Sequence, residues 1–207
     1  LRTTAIKGVD FEVAAFYQRL SDYQFGASFS NVAGDRSFGL AEEVEISGVE
    51  LYGRLNSQPF TGGSLNFFGE SNYTYSRGRF TDAIIGGENY NGNRIPEVPE
   101  HVAAFTLGVE QTTGWRWDAS VTWAYRGGFF TDEGNLGYGA GGEVECEAGE
   151  CEVEEAGEDG FVPSVWVLSA RFNLALGDTG ASIFVAGDNL LDEFYITDRE
   201  DGMKPGL

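Results

Sequence analysis

Residues Trp115 to Tyr125 read Trp-Arg-Trp-Asp-Ala-Ser-Val-Thr-Trp-Ala-Tyr, an alternation without a break. Trp115, Trp117, Ala119, Val121, Trp123 and Tyr125 take the odd positions, and Arg116, Asp118, Ser120, Thr122 and Ala124 the even ones. Successive side chains of a strand point to opposite faces, so this spacing predicts a strand with one aromatic, apolar face and one polar face. The apolar face also has a profile, with rings at both ends and small aliphatics between. A soluble sandwich has no use for that profile, whereas Trp and Tyr favour the two edges of a bilayer. Eleven residues rising ~3.3 Å each and tilted about 40–45° cover roughly 26 Å, close to the ~25 Å apolar band of an outer-membrane barrel. The stretch reads as a membrane-crossing strand.

Six further stretches alternate in the same way: 8–19, 43–55, 64–77, 103–110, 165–176 and 181–195. Phe16 interrupts the polar side of the first, which a barrel interior tolerates. The connections alternate in length, with short turns at 56–63, 112–114 and 177–180 and long loops at 26–41, 80–100 and 131–162. Short turns at one end and long loops at the other are the habit of outer-membrane barrels. The expected class is therefore all-β, a transmembrane antiparallel β-barrel of about seven strands. A mean hydropathy of -0.23 fits, because barrel strands need only one apolar face. The count alone also allows a small passive barrel, either porin or adhesion scaffold. A soluble carbohydrate-binding β-sandwich is the other alternative.

The net charge of -20 argues against nucleic acid or an anionic membrane surface as a partner. No signal peptide is visible before the first strand, which implies a processed or missing N-terminus.

The last third carries a resemblance. Val162-Pro-Ser-Val-Trp-Val-Leu-Ser-Ala-Arg-Phe-Asn-Leu, a short turn, and then Asn189-Leu-Leu-Asp-Glu-Phe-Tyr195 resemble the end of TonB-dependent outer-membrane receptors. Ile46-Ser-Gly-Val-Glu-Leu51 is similar to that family's Gly-hydrophobic-Glu strand, and Arg94-Ile-Pro-Glu-Val-Pro-Glu-His101 to its Pro-x-x-Pro-x-His approach to the next strand. Within the family the layout is most similar to receptors of the ferric dicitrate and siderophore type.

The resemblance implies an outer-membrane protein of a Gram-negative bacterium that takes up an iron chelate. It implies a 22-stranded barrel filled by an N-terminal plug, with residues 1–207 its C-terminal portion. The plug, the N-terminal strands and the final strand would then be absent. The implied partners are outer-membrane lipid, the chelate, and the TonB complex through the missing N-terminal region. An open sheet has unpaired edges that lipid does not tolerate, so the piece is not expected to insert alone.

An anionic chelate needs guanidinium groups at the outer mouth, because their forked donors match carboxylates. Arg77, Arg79, Arg94 and Arg126 fall near outer strand ends or in loops, and Arg126 has the inward parity of its strand. The competing reading is that each pairs with a neighbouring carboxylate. Cys146 and Cys151 lie in a stretch with nine carboxylates and no basic residue between Glu143 and Asp159. A small disulfide suits an oxidising compartment, a hard cation held by carboxylates is the second reading, and a solvated acidic loop the third. No zinc or EF-hand spacing is present, so no metal site is expected. His101, the single histidine, has no Cys or His neighbour in sequence, and no nucleophile motif accompanies it. Neither an enzyme nor a cofactor is expected.

Overall fold

The computed structural model describes residues 2–3, 6–27, 37–111, 113–135, 144–147, 150–153, 160–177 and 179–195. One antiparallel sheet dominates, in which every strand pairs with its neighbours in sequence. Its strands are β1 (Arg2–Thr3), β2 (Val9–Ala27), β3 (Ser37–Asn56), β4 (Leu65–Asp82), β5 (His101–Gln111), β6 (Trp117–Arg126), β7 (Val165–Ala175) and β8 (Ser182–Gly187). The sheet does not close: β1 and β8 are its edges. Among the described residues the single helix is the one-turn α1 (Gln58–Thr61), and no helix is long and apolar enough to cross a membrane.

Seven strands stand where the alternation predicts them, with shifts at several of their ends. β2 runs to Ala27, β3 begins at Ser37 and β4 runs to Asp82, so these strands hold 19, 20 and 18 residues. A tilted strand crosses a bilayer with ~9–11 residues, so all three project beyond it at the long-loop end. Out there no lipid demands alternate apolar residues, and the sequence pattern stops before the strand does. At the other end Trp115 sits in the turn and is 67% exposed, with β6 starting at Trp117. A further shift is at β8, which ends at Gly187 instead of Tyr195. Asn189 and Asp192 take left-handed φ values of 50° and 53°. The Asn189 amide closes that turn, accepting from the Glu193 N–H and donating to its carbonyl, both at 3.0 Å.

The register separates two faces. One rung runs Phe11, Gly53, Ser71, Phe105, Trp123, Leu168 across six strands. The adjacent rung, on the other face, runs Asp10, Arg54, Glu70, Thr106, Thr122, Ser169. The first is the lipid side. The second is the lumen side, and its polar groups bond one another across strands. Arg54 Nη1 donates to Glu70 Oε2 at 3.3 Å, the Thr106 and Thr122 hydroxyls lie 2.8 Å apart, and Asn173 Nδ2 donates to Asp118 at 2.6 Å. Phe16 and Phe68 break the polar face, each opposite a glycine: Phe16 on Gly48 and Phe68 on Gly108. The missing side chain is where the ring lies.

Rings ring the lipid side at two levels. Tyr75 and His101 have centroids 5.1 Å apart and Tyr125 and Trp166 4.7 Å at the long-loop end; Trp117 and Phe172 meet at 6.3 Å near the short turns. Above the outer level, Phe25, Ala41, Val44, Phe80, Ala83, Ile85 and Ile95 bury one another in a small core. It folds the 83–100 segment back on β3 and β4. Ile84–Ile85 pairs with Glu88–Asn89 around Gly86 and Gly87, whose φ values of 61° and 90° are those a two-residue hairpin turn requires.

Candidate functional site at the outer end of the lumen wall

Arg126 is the last residue of β6, in register with Val102 and Val165 on the lumen side. Its guanidinium lies 5.0 Å from the centroid of Phe129. A cavity of about 450 Å³ opens beside it, bounded by Asn72, Thr74, Val102, Arg126, Val167 and Tyr195. Tyr195 reaches this wall because the Asn189 turn folds the chain back after Leu190 donates its N–H to the Leu168 carbonyl at 2.8 Å. One cation, one amide and two hydroxyls thus share a hollow whose floor is Val102, Val167 and backbone. Such a set can hold an oxygen-rich anion by charge-assisted and neutral hydrogen bonds.

The other three arginines are placed differently. Arg79 Nη2 donates to Glu100 Oε1 at 2.7 Å, and Arg94 Nε stands 3.7 Å from the same oxygen. Arg94 also donates to the Gly128 carbonyl at 3.2 Å and lies 5.4 Å from the Phe130 centroid. Adjacent residues of an extended strand face opposite ways, so Arg94 on Phe130 and Arg126 on Phe129 do not converge. Arg77 shares its parity with Tyr73 and Tyr75 on the lipid side and is exposed. The four do not form one cluster: two share a carboxylate, one lines the hollow and one faces outward.

Glu100 ties the 83–100 segment to Arg79 of β4, and other bonds join that segment to a second loop. Asn135 accepts from the Arg94 N–H at 2.6 Å and donates to the Arg94 carbonyl at 3.0 Å, copying a backbone bridge with a side chain. Asn93 donates to the Glu133 carbonyl at 2.9 Å, and the Glu97 N–H to the Phe130 carbonyl at 2.7 Å. The 83–100 and 127–135 segments are thereby joined. Burial pushes the Glu100 carboxyl up, but the Arg79 hydrogen bond and the charges of Arg94 and Arg79 outweigh it, and its pKa ends below the ordinary value. A depressed carboxyl contributes stability above its unfolded pKa, about 4.3, and loses it as pH falls through the lower folded value. Protease cleavage between residues 83 and 100 should therefore rise below about pH 4. In Glu100→Gln it should already be raised at pH 7. Equal cleavage of both proteins across the range would remove that tie.

His101 opens β5 on the lipid side, its Nδ1 2.8 Å from the Tyr73 hydroxyl. A separate hairpin, 144–147 with 150–153, sets Cys146 opposite Cys151 in register. The side chains of that acidic stretch and the ending past Tyr195 lie outside the described residues. Among the described residues no group of three or more His, Cys, Asp and Glu is placed to hold a metal ion. The sequence singled out Arg126 but missed Asn72, Thr74 and Asn135, which carry no motif. Tyr195 and Asn189 stood in a quoted signature without an assigned task.

A search of curated proteins found no match. Among solved structures, the unliganded ferric citrate transporter FecA superposes with a TM-score of 0.67 at 19% identity, over 99% of this chain and 28% of that one. The copper transporter OprC superposes at 0.63 and 13% identity, again over 99% and 28%. At these identities the likeness concerns the fold, and the chain spans 28% of either neighbour's length. The family model for the TonB dependent receptor-like β-barrel matches residues 4–190. By that match, over a sheet with a lipid side, a lumen side and two aromatic levels, the chain belongs to the TonB-dependent receptor β-barrel family.

Proposed function

We propose that this chain is a section of the barrel wall of an outer-membrane receptor that takes up an iron chelate of the siderophore or ferric citrate type. Transport is energised through TonB in the intact protein, whose plug and remaining strands lie outside residues 1–207. The observation that carries the proposal is Arg126 in the hollow at the outer end of the lumen wall, with Asn72, Thr74 and Tyr195 around it. FecA is titled a ferric citrate transporter and OprC a copper transporter, so fold likeness leaves the cargo open. The donor chemistry favours the first. Copper is selected by sulfur and imidazole ligands, and among the described residues no His, Met or Cys lines the hollow, whereas a guanidinium with amide and hydroxyl groups suits carboxylate, hydroxamate or catecholate oxygens.

Arg126→Ala in the full receptor should weaken binding of the ferric chelate about 10-fold or more, the factor for one lost charge-assisted hydrogen bond of ~1.5–3 kcal/mol. Iron-limited uptake of the labelled chelate should fall with it. Arg79→Ala, whose charge is already shared with Glu100, should change uptake little. Unchanged uptake in Arg126→Ala removes Arg126 from the site, and copper uptake that exceeds iron uptake reverses the choice of cargo.

A further inference from the structure

The long connection between β6 and β7 carries a two-stranded sheet of its own, Val144–Glu147 with Glu150–Val153, which among the described residues joins no other strand. A lone two-stranded ribbon is marginally stable at best in water. Its register adds to the difficulty. Glu145 stands opposite Glu152 and Glu147 opposite Glu150, and like charges directly opposite destabilise an antiparallel pair. No basic residue lies between Glu143 and Asp159 to relieve them. The other side of the ribbon holds Val144 opposite Val153 and Cys146 opposite Cys151. Only Ala148 and Gly149 separate the strands in sequence. In a hairpin of that length the pair beside the turn is the hydrogen-bonded one, here Glu147 and Glu150. Pairs alternate along an antiparallel ladder, so Cys146 and Cys151 take a non-hydrogen-bonded position, the kind with Cα atoms about 4.5 Å apart. That separation lies inside the ~4.4–6.8 Å range that a disulfide spans.

We propose that Cys146 and Cys151 are joined by a cross-strand disulfide, and that this bond holds the acidic hairpin closed against its facing carboxylates. Register puts the two cysteines and the four glutamates on opposite sides of the ribbon, so they do not make one ligand set. The bond forms by exchange: the thiolate of one cysteine attacks a protein disulfide of the oxidising compartment, and the second cysteine then displaces that partner. Two S–H bonds of this chain are lost and one S–S bond forms. The two electrons and two protons leave on the partner, which departs as a dithiol. Beyond the inner membrane of a Gram-negative cell such bonds persist. The reverse exchange makes the hairpin redox-sensitive, because a dithiol that opens the bond leaves the ribbon to its facing carboxylates. Neither the cargo of the receptor nor the role of Arg126 bears on this bond.

The full receptor, taken from outer membranes with iodoacetamide present throughout, gives the test. Trypsin releases both cysteines in one peptide, residues 127–171, because no Lys or Arg occurs in it before Arg171. In mass spectrometry that peptide should carry no alkyl group before reduction and one on each cysteine after it. Alkylated cysteines before reduction, or a bond from either one to another peptide, would overturn the proposal. Proteinase K reads what the bond does. Cleavage between residues 144 and 153 should rise about tenfold or more on reduction, the order expected when a short closed loop is released. Cys146→Ser with Cys151→Ser should match that rise without reductant. Adding Glu147→Gln and Glu150→Gln to the serine pair should bring cleavage back down about threefold, since a facing like-charge pair is gone. Equal cleavage of the oxidised and reduced receptor, or no rescue by the glutamine changes, would remove the bond from its role in holding the hairpin. The changes lie outside the main sheet, so every variant should keep the heat-dependent gel mobility of the unchanged receptor.

Discussion

Gly108→Ala is expected to destabilise the barrel, and adding Phe68→Ala is expected to give part of that stability back. The Phe68 ring lies across Gly108, and a methyl group there falls inside contact distance of three of its carbons. No backbone atom stands among those three neighbours, so the collision is with a side chain alone. Overpacking of this kind costs ~1–3 kcal/mol. In urea unfolding of the full receptor, the double variant should be less destabilised than the two single changes added together, by about 1–2 kcal/mol. Gly48 makes the contrast. A methyl there meets the Phe16 ring and also the carbonyl oxygen of Tyr75. Removing the ring leaves the carbonyl in place, so Gly48→Ala should cost more, and Phe16→Ala should restore less. If the pairs at 48 and 108 respond alike, the rings do not lie over the glycines as described.

The same two pairs show what could be read from the chain and what could not. Alternation marked the seven long strands, because lipid on one side and polar groups on the other impose a period of two on every residue between the aromatic levels. Phe16 broke that rule, and its explanation sits on another strand: only the register to Gly48 shows why a large ring fits. Beyond Tyr17, Val49 and Tyr75 the constraint from lipid ends, and the extensions of β2, β3 and β4 had no periodic signal to announce them. The Asn189 turn failed for another reason. Leu190, Leu191, Phe194 and Tyr195 resemble strand residues, but an asparagine in the left-handed region bonds its own chain four residues on. Local side-chain chemistry overrode the propensity.

The site was legible only where it touched that period. Arg126 could be placed inside because it continues the even positions of Trp115–Tyr125. Arg77 could not be placed, because position along the chain gives height in a barrel and parity gives face, and both are needed. Counting from Tyr73 and Tyr75 puts Arg77 on the lipid face, at a height where a ligand-facing arginine would also be found. Arg79 and Arg94 lie 15 residues apart and meet through Glu100, a contact made by the folded 83–100 segment. No spacing rule predicts that. Asn135 gave no sign at all, since its partner is the backbone of Arg94 in another loop.

Val121→Arg should prevent stable insertion of the receptor, while Thr122→Arg, one residue on, should be tolerated. Both positions lie midway along β6, in the middle of the aromatic levels set by Trp117 and Tyr125. Val121 aligns with Leu107 and Ala170 on the lipid side, and Thr122 with Thr106 and Ser169 on the lumen side. A guanidinium facing lipid at mid-depth costs ~2–4 kcal/mol, because no rotamer brings it to either interface without thinning the bilayer. The same group on the lumen side stays among polar neighbours, and the Thr122→Arg change forfeits mainly the bond to Thr106, worth about 0.5–1.5 kcal/mol. The readouts are the amount of receptor recovered from outer membranes and its urea midpoint in detergent. Depletion of Val121→Arg with near-normal Thr122→Arg fixes which face meets lipid, and with it the inward aim of Arg126 and the outward aim of Arg77. The reverse order would exchange the two faces and carry both arginines with them. Equal recovery of the two variants would mean that neither face of β6 lies against lipid at that depth.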